Sequence, residues 1–434
     1  MKNRLINNLK LFTNSEDKKR LLENFFSLSV LQGANYILPL ITLPYLVRVL
    51  GPEKFGLIAF AQAFIQYFNI LTDYGFQLSA TREISIHREN KEKVSEIFSS
   101  VMIIKFALLI LSFIIMTVIV FSFEKFRKDW LIYYSTFGMV VGQVLFPVWF
   151  FQGMERMKYI TFLNIIAKLI FTVCIFIFIR KVSDYIYVPL INSVGFIVAG
   201  ISALTIIWKD FNLRLKFPSW KSIKHQLKEG GYIFISRVSI SFYTISNTFV
   251  LGLLTNNVVV GYYSAAERLV NAVKSLNNVI LQVMFPYVSS LSKKNFDRAV
   301  RVVRTELKSL LGSEIILCAA VFIVAPQIVL LLFGKPFIES VGIIRILIFT
   351  APVIILSAVI GQQILLNFGM KRLFTVSIVY MSIAHLIILP LLVLLKRATG
   401  AAIAVLITES LILSFRIAGL YRERKDIALS LLGG

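Results

Sequence analysis

The 434-residue chain is poor in the groups on which most protein chemistry depends, with two cysteines, three histidines and 23 acids against 46 lysines and arginines. Cys174 and Cys318 lie in apolar stretches with no second cysteine or histidine at ligand spacing, which excludes a disulfide framework and a zinc site and leaves packed thiols. His87, His225 and His385 are scattered, so solvated or packed rings are expected and neither a metal nor a cofactor is. No Asp-x-Asp pair occurs. The loops on one side are all short, which argues against a membrane glycosyltransferase or polymerase, whose catalytic acid or metal site needs such a platform. No signal peptide is expected either. Residues 1–24 are polar and basic, and the run after them is too long for a signal-peptide core and lacks a small-residue cleavage pattern, so 1–24 is expected as a retained cytoplasmic arm.

What the chain does have is apolar surface: 57% hydrophobic residues, 13% aromatic residues and a mean hydropathy of +0.78. A soluble domain of this length could not hide it, so the chain is read as an integral membrane protein in contact with the lipid bilayer. Apolar runs fall at 25–47, 55–79, 98–123, 130–151, 158–179, 185–208, 232–254, 258–291, 305–333, 341–368, 373–395 and 399–421. Most have the roughly 20 residues that cross a hydrocarbon core of about 30 Å, giving an all-α fold of twelve transmembrane helices. With residue 1 inside, the inner connections hold 29 lysines and arginines and the outer ones 10, which places both termini in the cytoplasm. The net charge of +23 is then topology and contact with anionic headgroups, and no nucleic-acid partner is expected.

An internal repeat organises the runs. Gln62, Gln66, Asn69, Asp73 and Gln77 recur 205 positions later as Glu267, Asn271, Lys274, Asn278 and Gln282, and the same offset pairs Gly56 with Gly261 and Gln32 with Arg237. The chain therefore divides into a first lobe at 25–208, a basic linker at 209–231 containing Pro218, Trp220 and Gly230-Gly231, and a second lobe at 232–434. With six helices each, the lobes enter the membrane from the same side and are parallel, pseudo-symmetric copies. The repeated polar residues form stripes at helical spacing, joined by Gln32, Asn35, Pro39 and Thr42 on the first helix and Arg237, Ser241, Thr244 and Thr248 on the seventh. Polar glue between helices explains one stripe well and four together poorly, so helices one, two, seven and eight are expected to line a central cavity.

Charge gives that cavity its character. Of the basic residues inside the spans, Lys105, Arg345 and Arg416 fall near the ends of the apolar runs and are expected to snorkel to the headgroups. Lys168 is central but stands on no stripe, and a partner on another helix is expected for it. Arg237, Arg268 and Lys274 are expected in the cavity with Gln32, Asn35, Gln62, Gln66, Asn69, Asn271 and Asn278, while Asp73 and Glu267 pair with them or carry a coupling proton or sodium ion. A charge at Arg268's depth costs at least about 2.5 kcal/mol if uncompensated. The balance is cationic, and arginine suits phosphate oxygens through its bidentate fork. Pro39 and Pro44, bracketing Thr42, are candidates for a gate that bends, with simple helix geometry as the alternative.

The run Gly33-Ala34-Asn35-Tyr36-Ile37-Leu38-Pro39-Leu40, then Leu43-Pro44-Tyr45-Leu46-Val47-Arg48-Val49-Leu50-Gly51-Pro52-Glu53-Lys54-Phe55-Gly56, with Asp73-Tyr74-Gly75-Phe76 and Trp149-Phe150-Phe151-Gln152-Gly153-Met154-Glu155, closely resembles Wzx-type O-antigen flippases. These belong to the multidrug, oligosaccharidyl-lipid and polysaccharide exporter superfamily. Tyr263-Ser264-Ala265-Ala266-Glu267-Arg268-Leu269 is similar to the Ala-Asp-Arg-Leu stretch of the lipid II flippase, where the arginine is a cavity residue required for function; the match falls on Arg268, and Glu267 replaces the aspartate. The resemblance implies a two-lobed fold like the MATE exporters in a bacterial inner membrane. Its implied cargo is an undecaprenyl-diphosphate-linked oligosaccharide carried to the periplasmic leaflet by alternating access, with the diphosphate held by the cations and the sugars by the stripe. It further implies a monomeric transport unit working beside a polysaccharide polymerase and a chain-length regulator, with Arg48 at the outer loop or gate. A multidrug exporter would share the fold, but cationic drugs call for an acid-dominated cavity.

Overall fold

The computed structural model describes residues 16–213 and 216–432, so residues 1–15 of the expected arm and residues 214 and 215 of the linker lie outside it. Every regular element among the described residues is helical. In order these are α1 (Glu16–Asp73), α2 (Phe76–His87), α3 (Lys91–Ser122), α4 (Glu124–Arg127), α5 (Trp130–Leu145), α6 (Val148–Gly153), α7 (Met157–Phe178), α8 (Tyr187–Asp210), α9 (Trp220–Thr244), α10 (Ser246–Leu254), α11 (Asn257–Lys294), α12 (Phe296–Leu332), α13 (Ser340–Leu347), α14 (Thr350–Ala358), α15 (Lys371–Glu423) and α16 (Lys425–Leu432). A π-helix, Val359–Leu366, follows α14.

Eight helical stretches among the described residues are long and apolar enough to cross a membrane. Two of them, Val30–His87 with 58 residues and Lys371–Glu423 with 53, are each far longer than one crossing requires. Gly51 (φ 67°) and Arg397 (φ 49°) leave helical geometry inside them, and the first stretch turns again at Tyr74-Gly75. At Gly51 the left-handed backbone favours glycine, and Pro52 then restarts the helix without needing its missing N–H. The expected seventh and eighth spans correspond to α9 with α10, and to α11, which carries Glu267, Arg268, Asn271, Lys274 and Asn277 along its length. Asparagine starts three of the long helices: Asn90, Asn256 and Asn295 accept from the backbone N–H groups of Lys93, Val259 and Arg298 at 3.0, 3.1 and 2.9 Å.

Several expected boundaries shift. The run expected at 55–79 stops at Asp73, because Tyr74 (φ 47°) and Gly75 (φ 81°) turn the chain before α2. The run at 130–151 breaks at Phe146-Pro147, between α5 and α6. The linker helix and the seventh span are one element, α9, which ends one residue before the interruption at Ile245.

The chain falls into two compact units. The first holds the described residues up to Thr42 with Phe64–Val238, and the second holds Leu43–Ala63 with the chain from Ser239 onward. In the first unit, Phe98, Trp149, Phe150 and Phe151 form a buried aromatic core, with Phe150 and Phe211 ring centroids 5.1 Å apart. This explains part of the Trp149–Glu155 motif: its aromatics are core, while Gln152 accepts from Gln77 at 2.6 Å and Glu155 pairs with Arg88. In the second unit, Leu281, Leu310, Ile355, Ile364 and Leu420 bring α11, α12, α14, the π-helix and α15 onto one core. Here Gly56 and Gly261, the glycines matched by the repeat, meet: a Cβ on Gly56 would lie 2.5 Å from the Gly261 nitrogen, and one on Gly261 2.0 Å from the Pro52 oxygen. Only glycine permits this backbone approach.

Candidate functional site

In the second unit the polar stripe of α11 meets the end of α1 that follows Gly51. The Arg268 guanidinium donates to Gln62 Oε1 at 2.8 Å and stands over the Phe55 ring at 5.2 Å. Glu267, adjacent in sequence and about 100° away around the helix, instead accepts from Tyr263 at 3.1 Å and Thr248 at 3.5 Å. Lys274 lies in the field of three carboxylates, Glu409, Glu267 and Glu314, the last of which also accepts from Asn277. The second unit therefore answers its two inward cations unequally. Lys274 lies within electrostatic reach of three acids and Arg268 of one, Glu267, and Arg268 is exposed and makes no ion pair among the described residues. Asn271, one turn on, is also exposed; the side chain of Asn278 lies outside the described residues.

Arg48, expected at an outer loop or gate, donates through Nε to the Leu332 carbonyl at 3.0 Å and through Nη2 to that of Leu331, capping the C-terminus of α12 where cations are favoured. Near the gate prolines, Thr42 Oγ1 donates to the Leu38 and Pro39 carbonyls at 3.2 and 3.3 Å, and neither Pro39 nor Pro44 interrupts α1.

The first unit holds the other half of the expected residues. Arg237 pairs with Asp73 at 3.5 Å, Asn69 donates to Gln66 at 3.0 Å, and Gln32 is exposed. Lys168 donates to Asn35 Oδ1 at 2.5 Å, the partner on another helix that its position called for. Asn69, Thr72, Asp73 and Gln77 line a cavity of about 220 Å³ whose remaining wall is Lys105, Gln143, Phe146, Val148, Trp149, Asn164 and Phe196.

Two cations expected to snorkel do not. Lys105 is 5% exposed and faces the cavity, packed inside the first unit on a helix that begins at Lys91 rather than at the apolar boundary near Phe98. The Asn90 cap and Glu92 in the first turn were the sequence signals for that earlier start. Arg416 is 6% exposed and is held inside the second unit, donating to the Ser357 carbonyl and Oγ at 2.7 and 2.9 Å and to Ser377 Oγ at 3.0 Å. Arg345 keeps to the periphery, half-buried, donating to the Phe322 carbonyl at 3.2 Å. The cavity residues Gln143 and Asn164 were not singled out by the sequence pattern, since each stands alone in an apolar run without a helical stripe, and Trp149 entered it only as part of the Trp149–Glu155 motif.

No group of three or more histidine, cysteine or acidic residues suited to a metal occurs among the described residues. The arrangement offers binding groups: an arginine fork available to an anion in one unit, and an amide-lined pocket with a buried ammonium in the other.

A family model described as polysaccharide biosynthesis protein matches residues 21–292. A protein of Escherichia coli (strain K12) assigned as an O-antigen transporter is 33% identical over 404 residues, covering 92% of this chain and 97% of that protein. One of Haloferax volcanii, assigned as a low-salt glycan biosynthesis flippase, is 24% identical over 370 residues, covering 83% of this chain and 75% of that protein. The solved lipid II flippase MurJ, in an inward closed conformation, matches with a TM-score of 0.73 at 16% identity over 93% of this chain and 90% of that one. An inward-facing multidrug resistance MATE family transporter matches at 0.66 and 15% identity, over 91% and 95%. At those identities the solved structures speak for the fold alone.

Proposed function

The chain belongs to the polysaccharide biosynthesis protein family, and from that membership we propose that it moves an undecaprenyl-diphosphate-linked oligosaccharide, an O-antigen repeat or a similar unit, from the cytoplasmic to the periplasmic leaflet by alternating access. It is a multi-pass membrane protein whose relatives are transporters and flippases rather than catalysts. In this reading it works in a bacterial inner membrane with both termini in the cytoplasm.

The observation that carries the reading is the state of Arg268. A guanidinium on a membrane helix, braced by Gln62 and Phe55, exposed and in no direct ion pair among the described residues, is preset to receive an anion, and its planar fork matches the oxygens of a diphosphate. Bracing matters because an arginine already held in one orientation loses less freedom when it binds. Asn271 lies one turn away on the exposed side of α11, where an amide can meet the first sugar hydroxyls. Lys274, within electrostatic reach of three acids, tunes the local field and is a weaker phosphate ligand than Arg268 in this scheme.

The test is transport by Arg268→Ala in cells whose own flippase gene is deleted. The variant should insert normally and leave lipid-linked glycan in the cytoplasmic leaflet, with surface polysaccharide lost. Normal surface polysaccharide in that strain would remove Arg268 from the site.

A further inference from the structure

Inside the second unit an open groove of about 430 Å³ runs between α11 and α12. Its apolar wall is Ile280 and Met284 of α11, one turn apart, and Val302 and Leu310 of α12. Arg298 and Arg301 stand at the end nearest the turn that joins the helices, both exposed and in no ion pair among the described residues. The exposed Thr305 and Ser309 follow one and two turns beyond Arg301. Among the described residues the wall holds one acid, Glu306, which is buried and accepts from Gln363 Nε2 at 3.3 Å. Even with that carboxylate counted, the wall carries a net positive charge.

The rest of α12 shows what lies outside the groove. Ser309, Ile316 and Ile323 recur every seven residues, about 20° short of two full turns, so they share one face of the helix. Ile316 and Ile323 are 70% and 67% exposed. An exposed apolar ridge on a spanning helix is a surface for acyl chains, whereas a water-filled cavity is faced by polar side chains. The groove therefore opens toward lipid. Along this face two guanidinia give way to two hydroxyls and then to hydrocarbon. Arg301 and Ile316 are about 22 Å apart at 1.5 Å per residue, close to the roughly 20–22 Å depth of one leaflet with its headgroups. A soluble anion would answer the arginines and leave the apolar wall uncovered. A zwitterionic lipid would cover the wall and bring no net charge to the two cations. A lipid with an anionic head does both.

We propose that this groove is a binding site for one anionic phospholipid of the surrounding bilayer, of the phosphatidylglycerol class. Arg298 and Arg301 hold its phosphate, the Ser309 hydroxyl donates to an ester carbonyl, and one acyl chain lies between α11 and α12. The site is separate from Arg268 and does not depend on what the protein carries.

Full-length protein in detergent, given equal amounts of dioleoyl phosphatidylglycerol and dioleoyl phosphatidylcholine, tests it by native mass spectrometry, which counts the lipids retained. Each basic residue beside an anionic headgroup contributes about fivefold, so the first phosphatidylglycerol should be preferred about twentyfold. Arg298→Gln with Arg301→Gln should remove that preference. Lys221→Gln with Lys224→Gln, which takes the same charge from exposed positions on α9, should leave it. Val302→Trp, which fills the groove and keeps both arginines, should lower retention of the first lipid about tenfold. Glycerol phosphate at millimolar concentration, which has the headgroup chemistry without chains, should not displace the lipid. Equal retention of the two lipids by unaltered protein overturns the site, as does an α9 pair that costs as much as the arginine pair, or full retention by Val302→Trp. Displacement by glycerol phosphate would leave an anion site only and overturn the lipid. Undecaprenyl diphosphate at equal concentration should leave phosphatidylglycerol in place, and its taking over the groove would assign the site to a polyprenyl cargo instead. The lipid ratio and the two competitions use unaltered protein, so they decide the matter even where a variant fails to fold.

Discussion

Gly56→Ala adds one methyl group at the point where the repeat-related glycines of the second unit meet. Its Cβ would lie 1.8 Å from the Asn257 carbonyl oxygen and 2.5 Å from the Gly261 nitrogen, whereas such contacts do not fall below 3.0 Å. Both offending atoms are backbone, so no side chain can swing aside, and α11 must retreat by more than an ångström. Alanine gains about 0.8–1.0 kcal/mol over glycine in helix propensity. Overpacking a close-packed contact costs about 1–3 kcal/mol, and a rigid backbone clash belongs at the upper end. The net expectation is a loss of about 1–2 kcal/mol, a fall of about 1–2 °C in the melting temperature at about 1 °C per kcal/mol for a chain of this length. Heating detergent-solubilised full-length protein and measuring what remains monodisperse reads this at a fixed scan rate, since such unfolding is governed by rate. Gly312→Ala on α12 is the control: no atom lies within 4 Å of its added Cβ, so the same substitution should be neutral or stabilising. The reasoning fails if Gly56→Ala melts with the unaltered protein, or if Gly312→Ala falls as far.

Three other outcomes follow from named contacts. Arg416→Leu strands the Ser357 carbonyl and hydroxyl inside the second unit and should cost about 1–3 kcal/mol; unaltered thermal stability would return Arg416 to a headgroup role. Glu83 holds the start of α9 through His225, at 2.5 Å, and Gln226. Glu83→Ala should therefore speed tryptic cleavage at the exposed Lys221, Lys224 and Lys228, and an unchanged digestion rate would show that the helix is held by other means. Within the transport reading, Arg268→Lys should recover little activity, because a point charge cannot keep both the Gln62 bond and a bidentate grip on phosphate; full activity in that variant would show that charge alone suffices.

The repeat was legible because it is a property of order along the chain. An offset of 205 residues pairs Gly56 with Gly261 and Gln62 with Glu267 without any knowledge of space. Membrane class and helical content were legible for the same reason, since mean hydropathy and run length act locally. Helix ends were less so. Hydropathy begins where lipid begins, whereas a helix begins where its first N–H groups find a cap, and at α3 the two differ by seven residues. Lys105 was misplaced because packing by other helices, which no local pattern reports, encloses it in a pocket. Arg416 was misplaced for another reason: its partners Ser357 and Ser377 lie 59 and 39 residues away, a separation that no helical periodicity reports.

Composition and spacing by themselves determined that the chain lives in lipid, that it is helical, that it is built twice and that its polar residues fall in stripes, because each of these depends on neighbours a few residues apart or on a fixed offset. Tertiary structure alone decided which cation is answered by which acid: Asp73 is shared by Arg237 and Lys105, Lys274 lies within reach of Glu409, Glu267 and Glu314, and Arg268 lies within reach of Glu267 while its guanidinium bonds to Gln62. Charge pairing depends on distance through space and on the scarcity of water, and neither is written in the order of residues.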